Sequence, residues 1–430
     1  MTEALIILRS IHFAATILAA GTVFFAVLVA EPVFAGTRRK MRKEFDALNH
    51  QWIWLVWLAL AVAVVSGACW LVLLTSDIYG APIVEVCFHG GVWTVATDTR
   101  FGLVSTFRLA LAATLAITLY WPPDGRDPQS FLNVMRLLLA ALFTASLASV
   151  GHAGAAPGHA AHLHYDSDIV HLLAASLWIG SLVPLAMLLA RAYRARGKAW
   201  RAIAAAATRR FSGLGVVSVA ALLVSGSINT WHSLDSPADL LTTNYGRLIL
   251  LKIGLFTAML GIAAVNRFHL TPRLAKRGAL RALERNSLGE AGLGLCVMVL
   301  VGILGTMPPP GHAHGPATDI PADAAFVHIH MAEVMADVTI VPGRIGAGRA
   351  TIRLLREDFS QFPAKDVVLT LTSPAANAKP QTHPATRIAD DTWQADKLDL
   401  TQAGVWIVKV IVTTGARNPV LLDAPIVIER

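Results

Sequence analysis

The sequence predicts a mainly α, polytopic membrane protein of about eight transmembrane helices, followed by a small β-sandwich domain of immunoglobulin-like form. Three observations predict it. Of the 430 residues, 55% are hydrophobic and only 15% charged, whereas soluble domains carry roughly 25% charged residues. The apolar residues gather in eight long runs, each near the ~20 residues that cross a ~30 Å hydrocarbon core at ~1.5 Å per residue. After "GTMPPPGHAHGP" these runs stop and short alternating segments begin.

In chain order the spans are expected at Ala4–Ala30, Ile53–Leu74, Phe101–Trp121, Phe131–Val150, Asp168–Leu189, Phe211–Thr230, Gly246–Val265 and Leu288–Met307. The first is a span rather than a cleaved signal: its leader "MTE" is not basic, the apolar run is too long, and the positive block follows it. It carries Arg9 and His12, three residues apart. Arg108 lies in the third span and Arg136 in the fourth, where pairing between helices is the simplest reading. Asp168 and His171 open the fifth, with Trp178 seven residues on along the same face. Asn229 and Trp231 end the sixth, and Asn244, Tyr245 and Arg247 open the seventh, which contains Lys252. Asn266 follows the seventh and Glu290 starts the eighth. Ionisable groups at membrane depth are costly and usually face a partner or a pathway.

Alternate connections hold nineteen Lys and Arg residues against two in the opposite set. The positive-inside rule therefore predicts that both termini lie outside the cytoplasm. The net charge of +8 sits in these short connections, which argues against nucleic acid and for the membrane as the partner. Domains are expected at residues 1–308 (membrane), 309–324 (linker) and 325–430 (periplasmic β-sandwich). Within the tail, "ADVTIV", "RATIRLL", "DVVLTLT", "GVWIVKVIV" and "APIVIE" read as strands separated by turns such as "VPGRIGAG". No internal repeat, nucleotide-binding loop or phosphorylated-aspartate motif is evident, so the expectation is not an enzyme, and any transport is passive or gradient-coupled.

The chemistry concentrates in histidine. Cys69, Cys87 and Cys296 form no CxxC pair, so no thiolate metal framework is expected. The stretch "GHAGAAPGHAAHLHYDSDIVHLLAASLWIGSL" holds His152, His159, His162, His164, Asp166, Asp168 and His171. Neutral imidazole suits copper, zinc and nickel, and the affinity order favours Cu(II). Asp168 and His171 share a helix face, so the carboxylate could bind metal or orient the imidazole. His152 closes the preceding span and is expected near His171. The expected metal residues are His152, His171, Asp168, His159, His162 and His164. A secondary set comprises His12, His312, His314, His328, His330 and Met331, of which His328 and His330 share one face of a strand. Arg9, Trp178, Asn229, Tyr245, Lys252, Asn266 and Glu290 are expected to line a pathway or to serve structure.

The segments "RSIHFAATILAAGTVFF", "TRFGLVSTFRLALA", "DIVHLLAASLWIGSL", "SGSINTW", "TTNYGRLILLKIGL", "AVNRFHL" and "SLGEAGLGLCVMVLVGILGTMPP" touch nearly every span. In that order, with "GHAGA", they resemble the CopD family of bacterial copper-handling membrane proteins, and the tail is similar to the β domain of some members. The resemblance implies copper uptake across the inner membrane, copper resistance, and a periplasmic copper carrier of the CopC type as partner. That carrier is fused ahead of the first span in some members, whereas this chain starts at the span, so a separate carrier or the tail is expected to deliver the ion. The cargo and only expected ligand is copper of open oxidation state. Two other readings stay open: a membrane haem or redox protein using histidines such as His12 and His171 as axial ligands, and a sensor or factor delivering copper to an oxidase.

Overall fold

The computed structural model describes residues 2–35, 38–79, 82–88, 90–121, 131–150, 159–195, 197–234, 236–307, 321, 323–331, 334–356, 361–373, 379–414 and 419–430. Among them, eight helical segments are long and apolar enough to cross a membrane: span 1 Glu3–Ala35, span 2 Lys43–Asp77, span 3 Phe101–Thr118, span 4 Phe131–Val150, span 5 Leu163–Ala195, span 6 Lys198–Ser233, span 7 Asn244–Arg273 and span 8 Arg277–Leu304. The eight expected spans are all present. Several overrun their apolar cores: span 2 belongs to a helical run, Arg38–Tyr79, that is kinked at Met41. Once a helix is nucleated, each further residue gains a backbone bond, so the helices continue into their basic flanks.

Small side chains let these helices pack closely. Ala15, Ala19 and Ala20 of span 1 are buried with Leu115 and Phe143, while Val65, Val217 and Val224 point outward, as a lipid-facing surface requires. Span 1 contains a π-helical stretch at Phe25–Ala30. Span 5 is interrupted between Trp178 and Leu182, and at that break Gly180 backs onto Gly21 of span 1. A Cβ at Gly21 would lie 2.4 Å from the Gly180 Cα, and one at Gly180 would lie 2.1 Å from the Ile17 carbonyl oxygen. Only glycine permits this approach, the small-residue crossing familiar in membrane helices. The Ser181 hydroxyl donates to the Gly21 carbonyl at 2.9 Å across the same contact.

Spans 3 and 7 begin alike. Each follows a short helix, Gly91–Asp98 and Asp239–Thr242 respectively. Each is capped by a threonine whose hydroxyl accepts from a glycine amide three residues on: Thr99 from Gly102 at 3.0 Å, and Thr243 from Gly246 at 2.9 Å. Such caps satisfy one of the orphan amides at a helix start.

The tail carries all of the described strands. Its described strands are β1 Ala325–Met331, β2 Val334–Val341, β3 Gly346–Leu355, β4 Asp366–Thr372, β5 Gln381–Arg387, β6 Thr392–Leu400, β7 Gly404–Thr413 and β8 Val420–Ile428. All pairings are antiparallel, in the order β1-β2-β3-β6-β5-β4-β7-β8. The join between the two four-stranded leaves is narrow, since β5 and β6 pair only at Thr386↔Gln394 and Arg387↔Trp393. β1 lies against β8, so the expected sandwich is closed and barrel-like, and immunoglobulin-like only in outline. Alternation places Ala350, Ile352 and Leu354 of β3 inside with Val408, Val410 and Val412 of β7. Trp406 is fully buried and its indole N–H donates to the Gln402 carbonyl at 3.0 Å.

Candidate functional site

Spans 5 and 6 meet in three successive contacts. On span 5, His164, Asp168 and His171 recur at helical spacing and share a face. On span 6, Ser225, Asn229 and His232 do the same. The rings of His164 and His232 lie 5.3 Å apart between centroids. One turn deeper, Asn229 Nδ2 donates to Asp168 Oδ1 at 2.5 Å. Deeper again, His171 Nδ1 lies 3.0 Å from Ser225 Oγ.

The last contact fixes the histidine's tautomer. Ser225 donates its proton to the Ala221 carbonyl at 2.6 Å, so toward His171 it accepts, and Nδ1 carries the hydrogen. Nε2 then keeps its lone pair, and among the described residues no hydrogen bond engages it. One edge of the ring rests against Gly226, where a Cβ would lie 3.4 Å from Cε1. The buried Asn229 Oδ1 also has no hydrogen-bond partner among the described residues. An imidazole nitrogen, a carboxylate and an amide oxygen thus cluster at one end of the bundle. Span 7 closes the third side. The Tyr245 hydroxyl bonds to Ser233 and lies within electrostatic reach of Asp168, as does Lys252, which also reaches His171.

His12, three residues beyond Arg9 in span 1, is engaged differently. Its Nδ1 lies 2.9 Å from the Ala63 carbonyl and 3.2 Å from Ser66 Oγ, while Nε2 accepts from Arg108 Nη2 at 3.0 Å. Both nitrogens are taken. Arg108 also donates to the Phe143 carbonyl and Ser146 at 2.7 Å each and to Thr16 at 3.1 Å. This buried cation is thus held by neutral acceptors and, among the described residues, by no carboxylate. Arg9 lies over the Trp70 ring, 5.0 Å from its centroid, and donates to the Gly305 carbonyl at 2.5 Å.

At the far end of spans 5 to 8, Asn266 Nδ2 donates to Glu290 Oε1 at 2.6 Å and Asn286 Nδ2 donates to Asn266 Oδ1 at 2.7 Å. The Trp178 side chain also bonds to Glu290. Asn266, Glu290 and Trp178 line a cavity of about 200 Å³ with Thr208, Ser212 and Arg267. Arg136 donates to the Thr118 and Trp121 carbonyls at 2.5 Å each.

Of the residues expected to bind metal, His171, Asp168 and His164 thus line one face. His152, His312 and His314 lie outside the described residues. His159 and His162 fall in the first turn of the helix that opens span 5, and His330 and Met331 on β1, but their side chains lie outside the described set. His328 is exposed and pairs with Asp337 across β1 and β2 at 2.5 Å, and Met335 is buried in the tail's core. Among the described residues, no group of three or more His, Cys, Asp or Glu side chains gathers as a metal cage. Ser225, His232 and the buried Glu31, which accepts from Asn133 Nδ2 at 2.8 Å, were not anticipated. Ser225 and His232 become visible in sequence only when span 6 is aligned antiparallel with span 5.

Two family models match the chain: "Copper resistance protein D-like, N-terminal domain" over residues 1–163 and "Copper resistance protein D" over residues 205–304. The chain is similar to the inner membrane protein YebZ of Escherichia coli (strain K12), at 30% identity over 309 residues, covering 71% of this chain and 98% of that protein. It is similar to the copper transport protein CutJ of Bacillus subtilis (strain 168), at 27% identity, covering 61% of this chain and 48% of CutJ. Copper resistance protein D of Pseudomonas syringae pv. tomato is 30% identical over 223 residues, covering 50% of this chain and 71% of that protein. No solved structure matches the chain.

Proposed function

Because the chain belongs to the copper resistance protein D family, we propose that it takes copper ions at the mouth formed by spans 5, 6 and 7 and carries them inward across the bacterial inner membrane. The observation that carries this reading is the free lone pair of His171 Nε2 on the helix face that also bears Asp168, one turn away and bonded to Asn229, whose own oxygen has no partner among the described residues. One nitrogen and two oxygen donors suit a borderline cation. They are too few to trap it, and a carrier must also let its ion go.

The charge asymmetry of the connections supports a periplasmic side for this mouth and for the β domain. His164 and His232 are then the outermost groups and receive the ion, from a CopC-type carrier or from the tail. Asp168 and Asn229 come next, and His171 holds the deepest position. Lys252 balances Asp168 while the site is empty, and an arriving cation takes over that role. Inward from His171, Trp178 is seven residues, about 10 Å, along the helix, and it leads to Glu290, Asn266 and the far cavity.

Uptake of labelled copper into proteoliposomes tests this. His171→Ala and Asp168→Asn should each lower the initial rate by about tenfold or more, the loss expected of a ligand worth at least ~1.4 kcal/mol, while membrane insertion stays normal. A wild-type rate in His171→Ala vesicles would overturn the assignment.

A further inference from the structure

Spans 1 to 3 and 5 to 7 carry the same contacts at constant offsets. His12, Gly21, Ser66 and Gly67 recur 159 positions later as His171, Gly180, Ser225 and Gly226. Thr99, Gly102 and the cation Arg108 recur 144 positions later as Thr243, Gly246 and Lys252. The contacts recur with the residues. His12 Nδ1 meets Ser66 at 3.2 Å and His171 Nδ1 meets Ser225 at 3.0 Å. Ser66 donates to Val62 at 2.7 Å and Ser225 to Ala221 at 2.6 Å, again 159 positions apart. Thr99 donates to the Val95 carbonyl and Thr243 to the Asp239 carbonyl, both at 2.7 Å. The equivalent glycines, Gly21 and Gly180, touch each other, as residues on a two-fold axis must. Four spans per copy give both halves the same direction through the membrane, the parallel type of internal repeat known in transporters.

We infer that the membrane domain is a duplicated four-span unit in which only the second copy can take a cation, and that Arg9 and Arg108 close the first copy to it. The inference rests on the copper reading only for the identity of the ion. The three contacts between spans 5 and 6 show the divergence. His164 and His232 correspond to Leu5 and Leu73. Asp168 and Asn229, hydrogen-bonded at 2.5 Å, correspond to Arg9 and Trp70, stacked at 5.0 Å. The third pair is kept, but Arg108 reaches His12 Nε2 at 3.0 Å, the atom that stays free in His171. A guanidinium has a rigid fork of five donors and can hold an imidazole, two hydroxyls and a carbonyl at once; an ammonium on a flexible stem cannot reproduce that fan. The first copy therefore presents leucine, a cation and a capped imidazole where the second presents imidazoles, a carboxylate and a free lone pair. Its Arg9 ties span 1 to the end of span 8 instead.

Acylation of histidines by diethyl pyrocarbonate, read by mass spectrometry on the full-length protein in detergent, tests the closure without any metal, because the reagent needs an unprotonated, unbonded ring nitrogen. His171 should label in the wild type and His12 should not. In Arg108→Lys, labelling of His12 should rise by about tenfold or more, the equivalent of ~1.4 kcal/mol for the released hydrogen bond. Equal labelling of His12 and His171 in the wild type, or an unreactive His12 in folded Arg108→Lys, would overturn the inference. Copper binding gives a second arm. The wild type should bind one equivalent in the membrane domain, lost in His171→Ala and kept in His12→Ala, and Arg9→Asp/Trp70→Asn/Arg108→Lys should bind two. A well-folded triple variant that still binds one would reject these residues as the determinants. If the wild type binds no copper there but the labelling pattern holds, the copper reading fails and the closure of the first copy stands.

Discussion

Ser225 hands its proton to the Ala221 carbonyl, and that one bond governs what His171 can offer an ion. His12 has an equivalent serine but also Arg108, and it ends with both nitrogens occupied. The sequence reading singled out both histidines as potential ligands. His171 ranked ahead of His12 for its place in the histidine-rich stretch, but the partners that set each ring's free nitrogen stand 54 and 96 positions away in the chain. Lys252 is the other residue that sequence left ambiguous, since a cation beside a metal site opposes the metal. It lies within reach of Asp168 and His171, so at the proposed site it would oppose a bound ion and balance the Asp168 charge in its absence. Lys252→Met should therefore tighten copper binding by about tenfold, roughly 1.4 kcal/mol, as read by competition with a chelating dye on the solubilised protein. Weaker binding in that variant would show that the lysine holds the donors in place.

At the scale of helices and strands, the crossing at Gly21 and Gly180 is the most demanding contact. A Cβ at Gly180 would press on the Ile17 and Ser176 carbonyl oxygens at 2.1 and 2.7 Å, and backbone atoms cannot step aside as a side-chain end can. Gly180→Val should lower the unfolding temperature in detergent, by a cost of about 1–3 kcal/mol or more. Gly213→Ala, where a Cβ meets nothing within 4 Å, should not lower it. An unchanged midpoint for Gly180→Val would mean that the helices separate without penalty. The eight spans themselves were legible because twenty apolar residues in a row have few other uses. The duplication was not, because its offset changes from 159 to 144 between the second and third spans and few identities survive. In the tail, β2, β3, β4, β7 and β8 were legible from alternation. β5 and β6 were not: "QTHPATR" is mostly exposed, and "TWQADKLDL" mixes charge into its buried pattern. Those two strands make the narrow join between the leaves.

The molecule as a whole comprises a membrane part, whose spans hold buried ionisable groups such as Arg108 and Glu290, and a β-strand tail with paired surface charges. Acid should act on the β domain first. Burial alone would raise the Asp391 carboxyl, but hydrogen bonds donated by Arg353 and Thr392 outweigh it and hold the group below its ordinary value. A carboxyl lowered on folding stabilises the fold above its unfolded pKa of about 3.9, and that contribution is lost as pH falls through the folded value. Arg353→Met should therefore cost up to about 1 kcal/mol at neutral pH, with the gap to wild type narrowing as pH falls below about 4. Denaturant melts of residues 321–430 at several pH values would show it, and a gap that stays constant with pH would assign the loss to packing. In the membrane domain the contact of Gly21 with Gly180 has a mechanical consequence. Two rods that touch through bare backbone have no interlocked side chains there and can roll about a fulcrum. The histidine-bearing end of span 5 lies on one side of that point, and Leu182 and Leu185, which line the Glu290 cavity, lie on the other. A small tilt of one half against the other would thus spread the His171 end while squeezing the Glu290 end, a seesaw that label-to-label distances taken with and without copper would register or refute.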